Sequence, residues 1–219
     1  MDMRSSVLWI SAAAVAILTA GISGCRPQAS APAPSAIDPV QTQVIVFTPP
    51  VPADVEDGGR CWTDSIAVNR PGAWRCMREN FIYDPCFEVG GRTRQVVCGT
   101  DPANGERGFL LKLTEPLPTP ASAAERSAQP WLIELADGSI CQAATGTMAA
   151  IDGESVRYPC SGPKPEAGSQ PIYTGLLGTM YPGKVWTADK VWFTVAPTDA
   201  GLPFKLLKRQ TVAIRRLWE

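Results

Sequence analysis

Seven cysteines in 219 residues constrain this chain more than any other feature, because of how they are placed. Cys25 stands alone near the start, and Cys61, Cys76, Cys86, Cys98, Cys141 and Cys160 share one later stretch. No two make a C-x-x-C pair, and the chain has no histidine to complete a zinc site, so no metal ligand set is expected. In an oxidising compartment an odd total leaves one thiol over, whereas the later six are enough for three disulfides. Six cysteines permit fifteen pairings. The sequential scheme, Cys61–Cys76, Cys86–Cys98 and Cys141–Cys160, is the expected one, since local bonds staple each half of the chain separately. Each closed loop would stabilise the fold by about 2–4 kcal/mol.

The lone Cys25 follows a recognisable run. After Arg4, offset by Asp2, residues Val7 to Ala20 are apolar apart from Ser11 and Thr19. That is short for a bilayer span and suited to the hydrophobic part of a signal peptide. Gly21-Ile22-Ser23-Gly24-Cys25 then resembles the lipobox of bacterial lipoproteins. The resemblance implies that residues 1–24 are a signal peptide removed before Cys25. It also implies that the Cys25 thiol carries a diacylglyceryl group. Two or more acyl chains of palmitate type hold a protein on a membrane stably, where one is marginal. The partner at this end is therefore a membrane, and the rest of the chain is extracytoplasmic. Arg26 is not the Asp that signals inner-membrane retention, so a two-membrane cell leaves the cell membrane and the outer membrane both open.

From Cys25 to residue 56 the chain reads as a tether. Arg26 to Ala36 is Pro, Ala, Ser and Gln with one charge, and Pro49, Pro50 and Pro52 extend the theme. Between them Val44-Ile45-Val46-Phe47 is rich in β-branched residues and is expected to add a strand. The compact region is expected to begin near Gly58, giving a domain over 57–219. Residues 116–130 divide it into halves at 57–118 and 129–219. With 21 Pro and 19 Gly, turns should be many and helices few. Alternation marks strands at Gln95–Cys98 and Phe109–Thr114. Asp137-Gly138 joins a hairpin between Trp131–Ala136 and Ser139–Ala143. Further strands are expected at Ser155–Cys160, Lys184–Phe193 and Thr211–Trp218, and one short helix over Ala73–Asn80. The fold class is mainly β: a small disulfide-stapled sandwich or partly open barrel with one short helix.

Three runs carry a second likeness. Cys61-Trp62-Thr63-Asp64-Ser65-Ile66-Ala67, Ala73-Trp74-Arg75-Cys76-Met77 and Asn80-Phe81-Ile82-Tyr83-Asp84-Pro85-Cys86-Phe87 are joined by Leu135-Ala136-Asp137-Gly138 and Ala144-Thr145-Gly146. Together they resemble an exported cysteine-rich segment of actinobacteria and their relatives. Some copies are lipoproteins, and others lie on the outer side of membrane-bound serine/threonine kinases. The likeness spans most of residues 60–160 and implies an exported, disulfide-bonded segment. It implies no reaction or ligand, and this chain has no kinase domain.

The chemistry open to the chain is narrow. With 20 basic and 21 acidic residues the net charge is -1, which gives no reason to propose nucleic acid. Absence of histidine removes Ser-His-Asp and Cys-His catalysis. Gly90-Gly91 is followed by Arg92-Thr93-Arg94 rather than by a helix start, so no phosphate loop or other cofactor site is expected. Glu79, Asp84 and Glu88 are the carboxylates that could flank a glycosidic bond, set against the simpler reading of an Asp84-Pro85 turn and solvated glutamates. Trp186 and Trp192, six apart in one expected strand, would share a face and stack sugar rings unless they fill the core or a turn at Ala188-Asp189 separates them. Lys205, Lys208, Arg209, Arg215 and Arg216 suit anionic headgroups or acidic wall polymers, or a charged edge strand. The expectation is a lipid-anchored binding module for a cell-wall polymer or envelope protein, without catalytic residues. A carboxylate-dependent envelope hydrolase and a structural envelope protein are the alternatives.

Overall fold

A computed structural model of the protein describes residues 41–119, 129–161, 171–195 and 204–219. The expected signal segment, Cys25 and the expected Pro/Ala tether before residue 41 lie outside them. The described residues hold thirteen strands and no helix, so the chain is mainly β.

Five strands make a small barrel: β2 (Val55–Asp64), β3 (Ala73–Arg78), β4 (Phe81–Glu88), β5 (Gln95–Cys98) and β6 (Phe109–Leu113), with β1 (Gln43–Ile45) lying elsewhere. They run as an antiparallel meander that closes when β6 pairs with β2. Five alternating strands leave the first and last pointing the same way, which is why that closing pair is parallel. The barrel is closed rather than partly open.

The short helix expected over Ala73–Asn80 is instead β3 and the turn that follows it. Trp74 and Cys76 are fully buried while Arg75 and Met77 face outwards, a period of two. A six-residue apolar–basic run is too short to hold a helix alone, and β2 and β4 offer it a ladder on each side. Inside the barrel lie Cys61, Cys76, Cys86 and Cys98 with Trp74, Val96, Leu111 and Leu113, so half of this buried core is cysteine.

The remaining strands are β7 (Leu132–Leu135), β8 (Ile140–Gln142), β9 (Ala150–Ile151), β10 (Glu154–Pro159), β11 (Tyr173–Tyr181), β12 (Thr187–Val195) and β13 (Phe204–Trp218). They lie in the order β8-β7-β13-β12-β11-β10-β9. Asp137-Gly138 turns β7 into β8 as expected, with Gly138 at a φ of 82°. The sheet curls until β8 meets the end of β10. There Cys141 and Cys160 face each other, and Ser161 N donates to Ile140 O at 2.7 Å.

β13 does two jobs. Residues 204–213 pair with β12, and residues 214–218 run between β7 and β1. The strand expected around Val44 is therefore real, and the folded region starts ahead of Gly58. Thr42 fixes this early segment: its Oγ1 donates to Ile214 O at 2.6 Å and accepts from Trp186 N at 2.7 Å. Just beyond β1, Phe47 meets Phe87 and Trp131 in a triangle with ring centroids 5.5–5.9 Å apart. Phe87, Ala67, Val68 and Ala73 from the barrel region share one core with Trp131, Leu132, Ile133 and Leu217 from the sheet. The two halves are thus fused through a common apolar core.

The three disulfides are Cys61–Cys76, Cys86–Cys98 and Cys141–Cys160. Each joins residues directly opposite on antiparallel neighbours. Two of the pairings are local because the β2–β3 and β4–β5 hairpins bring their own cysteines into register, and the third forms where β8 meets the end of β10.

Candidate functional site

The two tryptophans singled out in the sequence do not form one platform. β12 runs unbroken through Ala188 and Asp189, so no turn separates them, but Trp186 lies just before the strand and packs on the main core. Trp192 is half-buried, with the ammonium groups of Lys190 and Lys208 at 5.1 and 4.8 Å from its ring centroid. Its ring is already occupied by the protein's own cations. Lys190, 4% exposed, points to the β7–β8 hairpin, where Nζ donates to Asp137 Oδ2 and Ser139 Oγ at 2.8 Å each. Burial acts to raise the Asp137 carboxyl. Hydrogen bonds from Lys190 and Ser139, with the charge of Lys190, outweigh it and hold Asp137 below the usual carboxylate range.

Nor do the three carboxylates converge. Glu79 sits at the exposed β3–β4 tip beside Arg78. Glu88 Oε1 accepts from Trp74 Nε1 at 3.0 Å, at the edge of a shallow recess of about 280 Å³. Asp84 is buried, its side chain 1% exposed, and accepts from Ser65 Oγ, from Ile66 N at 3.2 Å and from Ala67 N at 3.5 Å. Burial pushes its carboxyl above the ordinary value, against those hydrogen bonds and the nearby charge of Arg75. Asp84 thereby organises the turn after β2, and Asp84-Pro85 lies within β4 rather than in a turn. Ser161 and Lys164 have the three-residue spacing of a Ser-Lys catalytic pair. Ser161 Oγ donates to Ile140 O at 3.0 Å, and Lys164 lies outside the described residues.

The basic residues of β13 are mostly paired. Arg209 binds Asp189 and Glu154, and Arg215 and Arg216 bind Glu134. Hydrogen bonds to Asp189 and then Glu154 raise the Arg209 guanidinium, and the bond from Arg209 correspondingly lowers Asp189. Residues 216–218 have ladders on both sides, so Arg216 is not on an edge, whereas the Lys205–Arg209 part of β13 resembles a charged edge.

What the sequence hid is the outer face of the small barrel. Arg60, Met77 and Ile82 face one another across β2, β3 and β4, and Arg60 Nη2 donates to Met77 Sδ at 3.9 Å. One step along, a bulge at Cys61/Thr63 places Trp62 under the Arg75 guanidinium, 5.8 Å from the ring centroid. Arg75 is held in turn by Asp84 at 3.6 Å and Thr145 O at 3.1 Å. Ile66 adjoins it through the turn on Asp84. Trp62, Ile66 and Ile82 are 39%, 49% and 54% exposed. An exposed aromatic, two exposed aliphatic side chains, a fixed Arg75 and a nearby Arg60 on β2–β4 and the turn after β2 have the composition of a protein-contact centre.

Sulfur atoms of Cys76, Cys86 and Cys98 lie within 4.8 Å of one another, but all are in disulfides and offer no thiolate to a metal. No protein-family model matches the chain, and no curated protein or solved structure matches it either.

Proposed function

We propose that this chain is a lipid-anchored envelope protein, tethered outside the cytoplasm through Cys25, that binds another envelope protein with the outer face of its small barrel. The observation carrying this reading is the exposed Trp62–Ile66–Ile82 patch with Arg60 and Arg75 beside it. Its apolar groups are too exposed to serve the core, and Arg75 is fixed in place before any partner arrives. Three disulfides suit an oxidising compartment. The glycan reading has less to rest on because Trp186 packs against the core and Trp192 carries two lysines. The hydrolase reading has no converging pair among Glu79, Asp84 and Glu88 to rest on.

Site-specific photo-cross-linking in the native host tests the reading. A benzophenone side chain at Ile82 is expected to give a discrete protein adduct that disappears with Trp62→Ala. The same probe at Tyr181, exposed on the other sheet, should give none. Cross-linking to wall polymer from Ile82, or no adduct there, contradicts a protein partner at this face.

A further inference from the structure

We propose that the two disulfides of the small barrel form one exchange unit, in which reduction at Cys61–Cys76 leaves Cys76 bonded to Cys86 or Cys98 and a thiol at the other. Cys76 Sγ lies within 4.8 Å of the sulfur atoms of both Cys86 and Cys98. β3 and β4 are paired neighbours, so Cys76 and Cys86 are held on adjacent strands of one closed barrel. Cys76, Cys86 and Cys98 are wholly buried, at 0% exposure, while Cys61 keeps 7%. Of the four, Cys61 is the most exposed residue, and attack by a reagent from solvent is assigned to it. The third disulfide, Cys141–Cys160, belongs to the other sheet and lies outside the sulfur cluster, which makes it an internal control.

The chemistry balances with a soluble dithiol as the reductant. One of its thiolates attacks Cys61 Sγ, a mixed disulfide forms, and Cys76 leaves as the thiolate. The second thiol of the reagent then closes on the first, releasing Cys61 as a thiol and the reagent as its disulfide. The Cys76 thiolate attacks Cys86 or Cys98. A new bond forms to one, and the other leaves as a thiolate that takes up a proton. The dithiol loses two electrons and two protons. The protein ends with thiols at Cys61 and at either Cys86 or Cys98, and with Cys76 bonded to the remaining one. Buried thiolates are poor leaving groups in apolar surroundings, but both partners of the exchange share the same core, so the step is close to balanced.

The test is partial reduction of the whole folded chain with limiting dithiothreitol, acid quenching, alkylation and peptide mapping. In molecules that have lost one barrel disulfide, alkylation is expected at Cys61 together with Cys86 or Cys98, with a Cys76-containing cross-link. Any other labelled pair, whether Cys61 with Cys76 or Cys86 with Cys98, overturns the proposal. A Cys61→Ala chain gives a second measure without a reductant. Its odd thiol should be found distributed between Cys76 and the Cys86/Cys98 pair, and confinement to Cys76 contradicts exchange.

Discussion

Asp84 shows how a charged group can be used up by the fold. Its carboxylate gathers the Ser65 hydroxyl and the Ile66 amide, and it shares the Ala67 amide with Ser65 Oγ, so the donors of the turn after β2 converge on it. Asp84→Ala should therefore destabilise by about 2–3 kcal/mol in urea unfolding, the usual consequence of stranding buried donors. Burial raises the folded pKa of this group above that of the unfolded chain. Its contribution is then fully present below the unfolded value of about 4 and is lost as pH rises through the higher folded value. Measured against Asp84→Asn, the wild-type chain should gain relative stability as pH falls from 7 towards 4. Asp137 has the opposite sign, being held low, so its contribution is present above about 4 and fades as pH drops through its folded value. Its partner Lys190 is almost wholly buried, whereas the Asp137 side chain is 45% exposed. Removing the acid strands a buried ammonium, while Lys190→Met removes the cation itself. Asp137→Ala should cost about 1–3 kcal/mol and Lys190→Met clearly less; the reverse order in chemical denaturation would contradict the pairing. In the sequence both residues were visible only as a hairpin aspartate and one more lysine, because neither burial nor partner can be read without the strand register.

Strands were legible where alternation and turn chemistry agreed. β5, β6, the β7–β8 hairpin, β10 and the last part of β13 all follow that rule. The misses have physical causes. β2 reads Val55-Glu56-Asp57-Gly58-Gly59-Arg60, and its glycines suggest a turn, yet a Cβ at Gly59 would collide with the Leu111 side chain across the barrel. β4 holds Asp84-Pro85, a pair that argues against a strand, but the pairing with β3 bulges where they lie. β11 carries Gly175, where a side chain would strike Val156 and the main chain of Tyr158. The patch on β2–β4 was hidden for a related reason, since Trp62, Arg75 and Ile82 belong to three strands and come to one face only through the ladder. At this scale the clearest expectation concerns β1. A chain starting at Ala53 keeps β2 but lacks Thr42, β1 and Phe47, and should be less stable than one starting at Gln41 by about 3 kcal/mol or more. Equal thermal midpoints would mean that β1 is decoration.

Across the described residues, a closed five-stranded barrel and a curled sheet share one apolar core, and three cross-strand disulfides fasten the strands around it. A chain this dependent on sulfur is suited to an oxidising exterior, and the lipobox-like run before Cys25 supplies a reason for the one cysteine outside the set. An oxidised module held at a membrane by its own N-terminus is the centre of the account. The intact mass of the protein recovered from native membranes tests it most directly. The account predicts a chain that begins at Cys25, is larger by a diacylglyceryl group and any amide-linked acyl chain, and is six hydrogens short of its fully reduced mass. A mass that includes residues 1–24, or one that begins at Cys25 without lipid, would contradict it.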